Sequence, residues 1–165
     1  MTTLTTPRQL LDAGLLSADQ RAGAEAVAAR YAVAITDAMA GLIDPSDPRD
    51  PIGLQFLPDA AELVVQPEER ADPIGDHAHS PVEGIVHRYP DRVLLKAVHV
   101  CPVYCRFCFR REMVGPHGDG TLAGEALEAA LAYIAAHAEI WEVILTGGDP
   151  LVLSPRRLAD IMAAL

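Results

Sequence analysis

The sequence predicts an α/β protein in which an α-helical N-terminal region precedes the order strand, loop, helix, strand, loop, helix. Three observations carry that expectation. Val93 to Val100, VLLKAVHV, is an almost unbroken apolar run with several β-branched residues, the pattern of a strand buried on both faces. Glu142 to Thr146, EVILT, repeats it on a shorter scale. Between them, from Thr121 to about Ala138, Leu127, Leu131 and Ile134 return at helical spacing.

Each element follows in order. A short helix is expected around Pro7 to Ala13. A longer one is expected from Ser17 to about Leu42, with Ser17 as its N-cap, Asp19 in its first turn, and Val27, Tyr31, Ala34 and Ala38 along one apolar face. Asp44 to Pro51, DPSDPRDP, cannot continue a helix and reads as a linker. Residues 52–82 are rich in Pro, Asp and Gly with little periodicity, which predicts an irregular, extended segment over a neighbouring core. After the second buried strand, Gly147, Gly148, Asp149 and Pro150 form a tight loop. Ser154 then caps a helix that begins at Pro155 and carries Leu158, Ile161, Met162 and Leu165 as its apolar stripe. Three regions result: 1–49, helical with a linker; 50–92, extended; and 93–165, two βα units whose loops follow the C-terminal ends of the strands, where α/β folds place active sites.

Composition narrows the function classes. A chain of 165 residues, 50% hydrophobic and 22% charged, is balanced for a folded core rather than for disorder. The formal net charge of -10 repels phosphate backbones and argues against a nucleic-acid partner. Positive charge is nevertheless concentrated between Arg88 and Arg111, which points to a small anionic ligand. No apolar run is long enough to span a membrane, and the first residues lack the basic start and apolar centre of a signal peptide, so the expected location is cytoplasmic.

All three cysteines fall within one short stretch, Cys101-Pro-Val-Tyr-Cys105-Arg-Phe-Cys108. An odd, clustered set is a poor disulfide framework and a good ligand set. Three thiolates at C-x3-C-x2-C spacing suit three irons of a [4Fe-4S] cubane, leaving the fourth iron open to a small chelating molecule. The competing reading is a zinc site completed by His99 or His117. Zinc pairs usually come as C-x2-C on two separate knuckles, and only one such pair is present, so the spacing favours the cluster.

These residues resemble the radical S-adenosylmethionine (SAM) superfamily, whose signature is C-x3-C-x-aromatic-C. More narrowly, HRYPDRVLLKAVHVCPVYCRFCFRREMVG, from His87 to Gly115, and LTGGDPLVL, from Leu145 to Leu153, are similar to the lysine 2,3-aminomutase family, as are the upstream DPIG and SPVEGIVHRYP. The resemblance covers about residues 50–165. It implies that the two βα units are the start of a radical SAM partial (β/α) barrel. It also implies a truncated chain that stops short of the family's pyridoxal 5′-phosphate (PLP) lysine, its substrate-selecting acidic residues and a C-terminal zinc site. Lys96, the only lysine, does not match the PLP lysine. The exposed edge of the second strand is then an association hazard.

The resemblance also implies roles. Cys101, Cys105 and Cys108 would ligate the [4Fe-4S] cluster. Gly147, Gly148 and Asp149 match the loop that contacts the amino group of SAM, and Phe107 is the aromatic expected near the adenine. Arg88, Tyr89 and Arg92 match the positions that hold the PLP phosphate. Arg110 matches the arginine that pairs with the substrate carboxylate. Arg106 and Arg111 carry no implied role, and His77, His79, His87 and His137 read as ordinary polar positions. The implied reaction moves an amino group from Cα to Cβ of an amino acid held on PLP, after a 5′-deoxyadenosyl radical removes a hydrogen from Cβ. The implied partners are a small amino acid substrate (lysine, glutamate, or lysine for translation-factor modification) and a reducing electron donor, with neither nucleic acid nor membrane; family members oligomerise. The alternative is an inactive fragment or a non-enzymatic iron–sulfur or metal-binding module.

Overall fold

The computed structural model describes residues 3–114 and 120–165. Gly115, at the end of the cysteine motif, and His117, weighed as a zinc ligand, lie outside the described residues. The protein is α/β, with two sheets and six α-helices among the described residues. It packs as two compact units that interleave along the chain. The described residues of Met1–Ala71 and Cys101–Gly115 form one, and those of Asp72–Val100 and Pro116–Leu165 form the other.

In the first unit, strand β1 (Thr3–Leu4) leads into helix α1 (Pro7–Asp12). The Thr6 hydroxyl accepts from the Gln9 N–H, the Gln9 side chain accepts from the Thr6 N–H, and Pro7 occupies the first turn, where its missing N–H costs nothing. The long helix expected from Ser17 to Leu42 is not continuous. It is helix α2 (Arg21–Ala28), an extended stretch ending in strand β2 (Ile35–Thr36), and the short helix α3 (Asp37–Ala40). Tyr31, Ala32, Val33, Ala34 and Ile35 are all buried, and five consecutive buried residues cannot lie on one helical face. Val33, Ile35 and Thr36 are also β-branched, which favours extended backbone. Thr36 closes the stretch by capping α3, accepting from the Met39 N–H, and β2 pairs antiparallel with β1. Ser17 does not cap α2. Its N–H and hydroxyl both donate to Gln20 Oε1, and Ala38 is exposed.

The Asp- and Pro-rich stretch is a series of ordered turns rather than a slack linker. Asp44 accepts from the Ser46 N–H, Asp47 from the Arg49 N–H and Asp50 from the Gly53 N–H. Helix α4 (Gly53–Phe56) follows and places Phe56 in a core with Leu10, Leu16, Val33, Ile35 and Ile43. A 3₁₀ turn, Ala60–Leu63, is held by Asp59 and Glu62 in a reciprocal capping box.

The second unit is built on a three-stranded sheet of β3 (Ile85–Tyr89), β4 (Arg92–Val98) and β5 (Glu142–Gly147), in the order β3-β4-β5. Strand β4 is central, antiparallel to β3 and parallel to β5. β3 is an addition to the expected order: HRYPDR is the end of a β-hairpin. β4 is buried as its apolar run requires, with Val93, Leu95, Ala97 and Val98 at 1% exposure or less. β5 differs from the expectation of a second buried strand. It lies at the edge of the sheet and is half-exposed, with Ile144 at 41%.

Helices α5 (Gly124–Ala135) and α6 (Pro155–Ala164) complete the unit. Ser154 caps α6 as expected, accepting from the Arg157 N–H, with Pro155 in the first turn. Leu127, Ala130, Leu153 and Ile161 join Ile85 and the β4 side chains in one core. Of the stripe expected on α6, Ile161 is buried while Met162 and Leu165 are exposed. No helix among the described residues is long and apolar enough to cross a membrane.

Candidate functional site

The cysteine loop belongs to the first unit. It runs from Cys101 as consecutive turns, with the Cys108 N–H donating to the Cys105 carbonyl and the Arg111 N–H to the Cys108 carbonyl. Two further backbone bonds fasten it. Tyr104 N–H donates to the Ala34 carbonyl at 3.0 Å and Arg106 N–H to the Gln55 carbonyl at 2.8 Å. Val103 packs on the core of this unit and Val114 is buried.

Cys101, Cys105 and Cys108 line one cavity of about 60 Å³, together with Tyr31, Tyr104, Arg106 and Arg111. Cys101 and Cys108 are half-buried and Cys105 is exposed, and none is in a disulfide. Among the described residues, no three His, Cys, Asp or Glu side chains converge as a metal-ligand group. The donor set is three thiols on one turn-rich loop, which matches a cubane that takes three protein ligands. His99, weighed as a zinc ligand, belongs to the second unit, where its N–H donates to the Gly120 carbonyl.

Arg106 is the functional candidate that the sequence left without a role. Its side chain is 7% exposed and meets Glu62, itself 13% exposed. Nε donates to Oε1 at 3.0 Å and Nη2 to Oε2 at 2.6 Å, while Nη1 donates to the Ala32 carbonyl at 2.7 Å. The fork matches the carboxylate as a bidentate pair. The signal for it was an arginine between two of the three clustered cysteines, but its partner lies 44 residues away in a stretch without periodicity. Arg111 stacks on Tyr31 at 4.4 Å and reaches Glu69 at 3.5 Å. Burial raises the Tyr31 hydroxyl above its ordinary range, and that hydroxyl donates to Glu112. Phe107 is 74% exposed, so it does not serve the core. Arg110 stacks on Phe109 at 4.6 Å.

Arg88, Tyr89 and Arg92 lie in the second unit, at the end of the β3-β4 hairpin, and all three line one cavity of about 170 Å³ with Ile74, Asp76 and Ile144. Arg88 Nη2 donates to the Ile74 carbonyl at 2.6 Å and approaches Asp76 at 3.5 Å. Arg92 is held more fully. It donates to both oxygens of Asp91, pairs with Glu142 at 3.5 Å, and lies 5.7 Å from the Trp141 ring. The bonds from Arg92 and from the Trp141 indole hold the Asp91 carboxyl well below the usual carboxylate range. Two guanidinium groups and a phenol on one concave surface suit a phosphate dianion.

The Gly147, Gly148 and Asp149 loop also lies in the second unit, at the end of β5. Gly147 has φ +105°, and a methyl there would overlap the Val98 carbonyl oxygen. A methyl at Gly148 would overlap the Val100 carbonyl oxygen. Both glycines thus let the end of β5 close on the end of β4, with Gly148 N–H donating to Val98 and Asp149 N–H to Val100. The Asp149 carboxylate caps the 3₁₀ turn Pro150–Val152 by accepting from the Leu151 N–H at 2.9 Å. A carboxylate has four acceptor positions, so that bond leaves room for an ammonium.

The family described as a 4Fe-4S single cluster domain matches residues 90–164. The L-lysine 2,3-aminomutase of Clostridium subterminale is 41% identical over 133 residues, which is 81% of this chain and 32% of that protein. The L-lysine 2,3-aminomutase of Bacillus subtilis is 36% identical over 150 residues, 91% of this chain and 32% of its own length. That of Haemophilus influenzae is 33% identical over 162 residues, 98% of this chain and 47% of its own. The chain spans about a third to just under half of the length of these curated relatives.

Proposed function

Because the chain belongs to the lysine 2,3-aminomutase family of radical SAM enzymes, matching its N-terminal part, we propose that it carries that family's cluster and cofactor sites for 2,3-amino group migration on an α-amino acid such as L-lysine. In this reading the second unit begins a radical SAM partial barrel. Cys101, Cys105 and Cys108 hold a [4Fe-4S] cluster, and the Gly147–Asp149 loop holds the amino group of SAM. Arg88, Tyr89 and Arg92 hold the phosphate of PLP, Phe107 lies at the adenine, and Arg110 pairs with the substrate carboxylate. The observation that carries the reading is that three thiols at C-x3-C-x2-C spacing line one cavity on one fastened loop.

When bound, the cluster with SAM supplies a carbon radical, and PLP supplies a π-system across which the migrating nitrogen is passed. The chain's own residues bind and orient. The guanidinium groups of Arg88 and Arg92 neutralise a phosphate dianion, and the Tyr89 hydroxyl donates to it. Asp149 accepts from an ammonium with the oxygen capacity that its capping bond leaves unused. Arg110 meets a carboxylate with a planar fork of donors. A reducing donor supplies the cluster's electron.

Anaerobic reconstitution of the full chain with iron and sulfide should give a brown protein with about four of each per chain. Stoichiometric zinc without sulfide would overturn the assignment. SAM should then alter the electron paramagnetic resonance of the reduced cluster. Asp149→Asn keeps an oxygen that can accept from Leu151, so the fold should hold while the response to SAM weakens. An undiminished response would remove Asp149 from the SAM site.

A further inference from the structure

We propose that the Arg106–Glu62 ion pair is a positioning device that sets the cysteine loop in its cluster-binding conformation before iron arrives. The inference rests on the cluster reading above. It begins from where Arg106 stands: next to Cys105 and two residues before Cys108, so its backbone fixes the path between two of the three proposed ligands. Three separate segments grip this one residue. Its N–H donates to the Gln55 carbonyl at the end of α4, its Nη1 to the Ala32 carbonyl beside β2, and its Nε and Nη2 to Glu62.

The chemistry favours a positioning role over a ligand-binding one. With the Arg106 side chain 7% exposed and that of Glu62 13% exposed, the charge is already answered on the protein side. Glu62 is itself fixed, because its Oε1 accepts from the Asp59 N–H in the capping box of the Ala60–Leu63 turn. The fork therefore transfers the rigidity of that capped turn to the loop. An exposed Cys105 on a loop of turns has little packing of its own to hold it, and a buried, bidentate anchor one residue away replaces that packing. A lysine cannot reproduce the arrangement, since it offers a point charge where the site uses three directions.

The test uses the full chain as Glu62→Gln, Arg106→Lys and Arg106→Gln, each reconstituted anaerobically beside the wild type. Three quantities are read: iron and sulfide per chain, the rate of iron loss to a chelator, and the fold of the apoprotein by far-ultraviolet circular dichroism. Glu62→Gln keeps the shape and one bond from Arg106 to a neutral amide oxygen, so the fold should persist. Chelator-driven iron loss should accelerate about tenfold or more, with Arg106→Gln more affected than Arg106→Lys. Wild-type occupancy and wild-type loss rates in the folded variants would overturn the proposal. So would loss of apoprotein fold in Glu62→Gln, since the pair would then hold the unit rather than the loop. If the wild type itself takes zinc and no sulfide, the cluster reading fails instead, and the two failures are distinct.

Discussion

Serine at Cys105 or at Cys108 is expected to drop the iron retained after anaerobic reconstitution from about four atoms per chain to a small residue, with loss of the brown absorbance. The size of the effect follows from ligand count. A cubane that takes three protein thiolates already leaves one iron without a protein ligand, so removing a second anchor leaves two thiolates for four irons. Serine offers a hard oxygen whose proton is not surrendered near neutral pH, where a cysteine ligand offers soft sulfur that iron prefers. The apoprotein should be untouched. Cys105 is exposed and Cys108 half-buried, so exchanging sulfur for oxygen opens no core cavity, and the melting temperature without metal should move by no more than a degree or two. Full iron and sulfide in either serine variant would show that these cysteines are not the ligands.

The parts of the fold that the sequence made legible are those governed by local chemistry. The β4 run, the α5 stripe and the Ser154–Pro155 start of α6 depend on burial periodicity and capping, and each stands where its residues require. The misreadings come from composition mistaken for period. Alanine between Ser17 and Leu42 supports a helix everywhere, but the consecutive burial of Tyr31 to Ile35 is a tertiary fact that propensity cannot register. β3 was hidden because His87, Arg88 and Tyr89 are polar: Arg88 and Tyr89 line a cavity, while His87 packs on Tyr133 and His137. The partly exposed β5 reads the same as a buried strand, since a short apolar run does not record how many neighbours cover it.

The site was legible to the degree that it is contiguous. Three cysteines in eight residues announce themselves, as do two glycines before an aspartate. The Arg106–Glu62 pair does not, because its halves are 44 residues apart and Glu62 belongs to no recognisable pattern. The glycines carry a second meaning that the motif alone does not reveal. They were read as part of a loop that contacts SAM, and the backbone gives them a demand of its own, the closure of β5 upon β4.

That demand yields a large effect on the fold. Gly148→Ala is expected to destabilise the second unit by about 3 kcal/mol, the range of severe overpacking against atoms that cannot yield. The added methyl would overlap the Val100 carbonyl oxygen and stand 2.7 Å from both Val100 C and N, all of which are backbone. No rotamer change can relieve it, so either β5 must part from β4 or the bond from Gly148 N–H to Val98 must break. Gly147→Ala carries the same kind of overlap at Val98 and adds a cost of about 1–3 kcal/mol for alanine at φ +105°. Its midpoint in urea should therefore fall further than that of Gly148→Ala. The β4 and β5 amides should lose hydrogen-exchange protection in both variants, while those of α1 and α2, in the other unit, keep theirs. An alanine at Gly148 that leaves the midpoint and the β5 protection unchanged would mean that the two strand ends do not meet as described. The glycine would then have to be explained by what binds there.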